Sequence, residues 1–106
     1  MNNNNGLIEF GGDIVVTNTI HDDYDISTIR LILDNIKKYL KDVGPKKDYL
    51  LIINQGTMGE INYIEISQDV PTIVKRYPVH AKIDIKKNIW FIDDGVAKTL
   101  LYPSDY

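Results

Sequence analysis

The chain contains no cysteine. Disulfides, thiolate metal sites and a cysteine nucleophile are excluded together, and the composition fits a reducing, cytoplasmic compartment. Long apolar runs are missing as well. The run YLLII at Tyr49–Ile53 falls far short of the roughly 20 residues that cross a bilayer. The stretch MNNNN has neither the basic flank nor the apolar core of a signal peptide, so no membrane partner is expected. Histidine is limited to His21 and His80, which leaves a histidine-rich transition-metal site to two distant residues. A strong charge of one sign is lacking too. A net charge of −3 argues against a nucleic-acid partner held through its phosphates, and it is too weakly acidic for a mimic of DNA.

What is present describes one folded domain. At 106 residues, 43% of them apolar and 25% charged, the chain can build a single core. Residues 1–6 read as a disordered tail and residues 7–106 as one α+β domain. Charge is unevenly spread: residues 1–35 carry six acids against Arg30, a net −5, while residues 36–48 hold five lysines against two acids, a net +3. The basic cluster of Lys37, Lys38, Lys41, Lys46 and Lys47 is read first as a solvated surface, with an acidic partner or a phosphate backbone as the alternative.

The clearest element is DISTIRLILDNIKKYLKDVGP. Ile29, Leu33, Ile36, Leu40 and Val43 recur at three- and four-residue spacing, Asp25 or Ser27 can cap the start, and Gly44-Pro45 supplies the stop. This predicts a helix over 26–43. Residues 7–17 read as a hairpin turning at Gly11-Gly12, and Tyr49–Ile53 as a central strand buried on both faces. Ile61–Ser67 reads as a strand from its Ile and Tyr content. Val70–Tyr77 reads as a short helix entered at Asp69 and ended by Pro78. Alternation of Val79, Ala81, Ile83 and Ile85 with polar residues predicts a strand, followed by another at Ile89–Ile92. Residues 96–102 fit a strand or a last helix capped by Asp94. The expected fold is a small sheet of about five or six strands, mostly antiparallel, against one long amphipathic helix.

Three groups of residues invite a functional reading. Gly56, Thr57 and Gly59, behind a buried strand, could form a ligand loop for an anion such as a nucleotide. The loop lacks the Lys and Ser or Thr of a phosphate loop, and its glycines are explained by a plain connection. His21, Asp22 and Asp23, with Asp25, could hold a divalent metal, but acids ahead of a helix are also favoured by its dipole. Asp93-Asp94 before Gly95 reads as a turn in preference to a paired-carboxylate site. No catalytic residue is assigned and no cofactor is called for.

The order hairpin, long helix, buried strand over residues 7–53 resembles the start of anti-sigma-factor-antagonist (STAS) domains. The resemblance is topological and covers that stretch alone, because only three residues separate Ile85 from Ile89 and Asn54-Gln55-Gly56-Thr57 stands where the family carries a serine-bearing segment. Membership is not inferred.

The reading that remains is a small non-enzymatic protein that binds another protein, as an inhibitor, adaptor or regulatory subunit. An inhibitor of a host system encoded by a phage or other mobile element is one instance of that class. Seven tyrosines and one tryptophan supply the rigid, half-polar contact area that interfaces use. One long helix covers only one face of a sheet whose strands are apolar throughout, which predicts a homodimer, or a monomer holding its partner on the second face. Trp90, Phe91, Tyr63 and Tyr102 are the expected contacts.

Overall fold

The computed structural model describes residues 7–9 and 14–106, the first three by their backbone. The expected tail at residues 1–6 and the turn at Gly11-Gly12 lie outside the described residues. Strands β1 (Leu7–Glu9) and β2 (Ile14–Thr17) pair antiparallel, as the hairpin reading requires. Helix α1 (Asn18–Asp23) follows, then the long helix α2 (Ile26–Val43) and a 3-10 turn at Gly44–Lys46. The remaining strands are β3 (Leu50–Met58), β4 (Ile61–Gln68), β5 (Ile73–Val79), β6 (Ile89–Asp93) and β7 (Lys98–Leu101), before a closing 3-10 turn at Pro103–Asp105. They form one sheet of seven strands in the order β1-β2-β7-β6-β3-β4-β5, in which only β2 and β7 run parallel. The α+β class and mostly antiparallel sheet match the expectation. The likeness to STAS domains ends at element order, since two strands separate β2 from β3.

Helix α2 begins and ends where its sequence says. The Asp25 carboxylate accepts from the Thr28 N–H at 2.8 Å and from the Ser27 hydroxyl, which caps the helix and, through the Thr28 backbone first, holds the Asp25 pKa below its usual value. Ile29, Ile32, Leu33, Ile36, Tyr39 and Val43 face inward. Beneath them the strands contribute Leu51, Ile53, Ile64, Ile66, Ile89, Phe91 and Leu100, each at most 2% exposed. These side chains form the core. A polar node sits at its edge: the buried Gln68 amide donates to the Lys46 and Pro71 carbonyls and accepts from the Tyr39 hydroxyl and the Asp48 N–H. Four satisfied bonds tie α2, the turn before β3 and the turn after β4 to one side chain. Burial, with Asp48 nearby, pushes the Tyr39 pKa up to about 12.

Two expectations are corrected, one open alternative is resolved and one element is added. Residues 70–77 are not a helix: Ile73–Val79 pairs with β4 along its length, because an available sheet edge and β-branched residues override the helix-start signal at Asp69 and Pro71. Pro78 is tolerated there since β5 is an edge strand. Residues 80–88 are not a strand, because the chain must cross from the edge strand β5 past β4 and β3 to reach β6. The alternation still marks what points inward. Ile83 is buried, and the Gln55 side chain stands in for a strand partner, donating to the Ile83 carbonyl at 3.0 Å and accepting from the Ile85 N–H at 2.7 Å. Residues 98–101 resolve as a strand, with Asp94 accepting from the Val96 and Ala97 N–H groups in a turn instead of capping a helix. The segment before α2 holds a further short helix, α1, which buries Ile20.

Candidate functional site

The register across the sheet sorts side chains into two faces. Leu51, Ile53 and Gln55 on β3 share the helix side with Ile64, Ile66 and Gln68 on β4 and with Ile89 and Phe91 on β6. The alternate residues line the other face. There Leu50 lies opposite Ile92 and Ile52 opposite Trp90, in the middle of the sheet, and all four remain partly exposed. Val15 and Thr99 extend the row on one side, and Ser67 and Val74 extend it on the other. At the tip of the β3–β4 hairpin, Met58 and Ile61 form a cross-strand pair on the same face, 67% and 57% exposed. A polar margin accompanies this apolar stripe. Arg76 donates to Glu65 at 3.0 Å and lies 5.4 Å from the centre of the Tyr63 ring. A cavity of about 250 Å³ opens at the stripe's end, lined by Leu50, Ile52, Tyr49 and Val70 among others.

One corner of this face is covered. Leu101 and Thr17 point to it and are buried. The closing turn is fastened there by Asp105, whose carboxylate accepts from the Thr17 hydroxyl at 2.8 Å, the Thr19 hydroxyl at 2.5 Å and the Tyr102 N–H at 3.0 Å. Burial pushes the Asp105 pKa up, but the Thr19, Tyr102 and Thr17 donors outweigh it and hold the group below its usual value. The Tyr106 ring meets Trp90 edge-on, with centroids 6.0 Å apart.

The expected contact residues divide between the faces. Trp90 and Tyr63 lie on the open face. Phe91 is 2% exposed and Tyr102 1%, both in the core, because a strand's neighbouring side chains point to opposite sides and Tyr102 follows Leu100 inward. They are corrected from contact residues to core residues. Leu50, Ile52, Met58, Ile61 and Val74 share the open face and were not among the expected contacts. The alternation in INYIEISQ carried the signal, since Ile64 and Ile66 fix the core side and pairing then assigns every neighbour.

The glycine segment is not a loop. Gly56 and Thr57 are strand residues paired with Tyr63 and Asn62, and Gly59-Glu60 is a two-residue hairpin turn. Gly59 has φ +64° and no non-glycine residue among those described has a positive φ, the pattern of a type II′ turn. Gly56 is glycine for a different reason: a Cβ there would meet the outer end of the Tyr63 ring, at its Cζ and hydroxyl oxygen. The apolar run continues into a long hairpin because its polar residues pair across strands, which composition alone does not reveal.

His21, Asp22 and Asp23 lie in the last turn of α1, so the dipole explanation serves Asp25 alone. Asp23 accepts from the Tyr102 hydroxyl at 2.5 Å, and burial first, with this bond adding to it, pushes the tyrosine pKa well up. Among the described residues no group of three His, Asp or Glu side chains is placed to hold a metal ion. Asp93 takes the Gly95 N–H and pairs with Lys47 at 3.1 Å, which holds its pKa low. Lys37, Lys38, Lys41 and Lys46 are exposed. No helix of the described chain is long and apolar enough to cross a membrane.

No known protein family, curated protein or solved structure matches this chain. The open face is the candidate site on its own geometry.

Proposed function

We propose that the protein is a non-enzymatic protein-binding protein, an inhibitor, adaptor or regulatory subunit, whose contact surface is the open face of the sheet. The observation that supports this reading is the partly exposed Trp90, set in the middle strands beside Ile52, Ile92 and Leu50. A solvated sheet face normally alternates to polar residues, and an exposed apolar stripe with a polar margin has the anatomy of a protein interface. Inhibition of a host system is one use of such a surface.

The test is capture of native partners by wild-type protein and by Ile52→Lys, with Lys38→Glu on the exposed side of α2 as a control. Loss of the captured proteins with folded Ile52→Lys, and retention with Lys38→Glu, is expected. Equal capture by all three proteins moves the contact surface elsewhere.

A further inference from the structure

We infer that the free edge of β5 takes an extended segment of another protein as an eighth strand, with an acidic residue of that segment set against Lys75. The edge is a different surface from the open face and shares with it only side chains of β5, so either contact can fail alone.

Strand β5 ends the sheet beyond β4, and Ile73–Val79 is paired along one side only. Two features agree on which of its backbone groups point away from the sheet. Pro78 has no N–H, so Pro78 opposite Tyr63 is a non-hydrogen-bonded pair, and by alternation so are Arg76 opposite Glu65 and Val74 opposite Ser67. The N–H and C=O groups of Val74 and Arg76, with the Pro78 C=O, therefore face outward. The β3–β4 hairpin gives the same phase: its two-residue turn makes Met58 and Ile61 a hydrogen-bonded pair, so Tyr63, Glu65 and Ser67 turn their backbone groups to β3 and not to β5. Among the described residues, none of the backbone hydrogen bonds outside the helices and strand ladders involves residues 73–79. A row of donors and acceptors at strand spacing is matched by another extended backbone.

Exposure and charge define the segment. Val74 is 51% exposed, and Lys75, Arg76 and Pro78 are exposed beside it, so neither helix nor loop covers this edge. Arg76 is held by Glu65 across the ladder. Lys75 makes no ion pair among the described residues and is the unbalanced charge of the edge. A second β5 is a poor occupant, because the antiparallel register that joins Val74 of one copy to Arg76 of the other sets Lys75 directly against Lys75. An acid at that place turns repulsion into a cross-strand pair. Pro78 limits pairing to the residues before it, and Lys75 rejects unmatched strands, which leaves the edge selective. The incoming segment is thus extended, acidic opposite Lys75, apolar opposite Val74, and without proline at the two positions that bond Val74 and Arg76.

Amide NMR of the full chain tests this, with a capped heptapeptide of threonine and valine carrying one central glutamate as the probe, beside forms with lysine or threonine at the centre. In the free protein the Val74 and Arg76 amides should exchange with solvent quickly, and the Lys75 and Tyr77 amides slowly. The glutamate peptide is expected to slow exchange at Val74 and Arg76 and to shift the resonances of residues 73–77 saturably, binding about 3- to 10-fold more tightly than the lysine form. Lys75→Glu should invert that order. Val74→Pro removes one outward N–H in the phase that Pro78 already occupies and should weaken binding by at least about 10-fold, whereas Val74→Ala should leave it within about 3-fold. If Val74→Pro does not fold, the inversion in Lys75→Glu still decides. Ile52→Lys, on the open face, should bind the peptide as wild type does. Protection of Val74 and Arg76 in the free chain that vanishes on dilution would make a second copy the occupant and overturn the inference. Absence of a saturable shift on β5 up to about 5 mM peptide, or equal binding of the glutamate and lysine forms, also overturns it. Loss of the peptide in folded Ile52→Lys would place it on the open face and overturn the edge as its site.

Discussion

Leu51 and Ile53 point to the helix side of the sheet and are at most 1% exposed, whereas Leu50 and Ile52, on the same strand, stay partly open on the other side. The residue types are the same. The difference comes from what lies above them: α2 seals one face, and the described residues leave the middle of the other face open. Strand β4 shows what an open face looks like when it is built for water, with Tyr63, Glu65 and Ser67 alternating against buried Ile64 and Ile66. Strands β3 and β6 do not follow that pattern. Their apolar residues on the open side stay partly exposed and lie outside the core of this chain, which is the ground for the proposed contact surface.

The sharpest way to break the comparison is a charge on each side of β3. Ile53→Asp buries an unpaired carboxylate among Ile66, Ile89 and the inner side of α2, and it should abolish folding, since such a change costs several kcal/mol against a total stability of about 5–15 kcal/mol. Leu33→Asp or Ile36→Asp should do the same from the helix. Ile52→Lys should retain the native circular dichroism and lose only about 1–2 kcal/mol as a monomer, because the flexible stem carries its charge to water. Chemical denaturation measures both. Equal losses at 52 and 53 would mean that the second face is sealed.

A finer test lies within the open face. The outer end of the Tyr63 ring occupies the space beside Gly56, and Arg76 lies over Tyr63 at 5.4 Å. Gly56→Ala should push the ring aside and cost about 1 kcal/mol through the lost packing and cation–π contact. Tyr63→Ala should make the same substitution nearly neutral. Absence of coupling in that double-mutant cycle would remove the reason given for glycine at this position.

Much of the helix side was legible. The stripe of α2, its Asp25 cap and its Gly44 stop are local signals, and local signals are what a sequence carries directly. Strand β6 was legible for the same reason. The sequence misled where partners are distant. Val70–Tyr77 looked helical because Asp69 and Pro71 make a good helix start, yet pairing of the seven residues Ile73–Val79 with β4 decided otherwise. Val79–Ile85 alternated as a strand would, but its partner is a single glutamine side chain. At the candidate site, Trp90 and Phe91 were both expected as contacts, yet only Trp90 stays partly exposed and Phe91 lies on the helix side, because an all-apolar strand does not say which side is covered. Pairing with β4 supplies that answer, and pairing is not local.

The smallest expected effect concerns the corner where the two faces meet. Asp105 anchors the closing turn through Thr17, Thr19 and the Tyr102 N–H, and the turn carries Tyr106 onto Trp90. Despite burial, which pushes its pKa up, these donors hold Asp105 below its ordinary value. A carboxylate with a lowered folded pKa stabilises the protein fully above its unfolded pKa, near 4, and that contribution is lost as pH falls through the folded pKa. Asp105→Asn should therefore cost about 1 kcal/mol or less at pH 7 and leave the Trp90 emission slightly red-shifted. The difference in Tm between wild type and variant should shrink between about pH 5 and pH 2, because protonation removes from the wild type what the substitution has already removed. Asp25, Asp93 and Asp94 shift in the same direction and lower both proteins together, so the difference isolates Asp105. A Tm difference that stays constant through that range would show that a group other than Asp105 holds the corner of the open face.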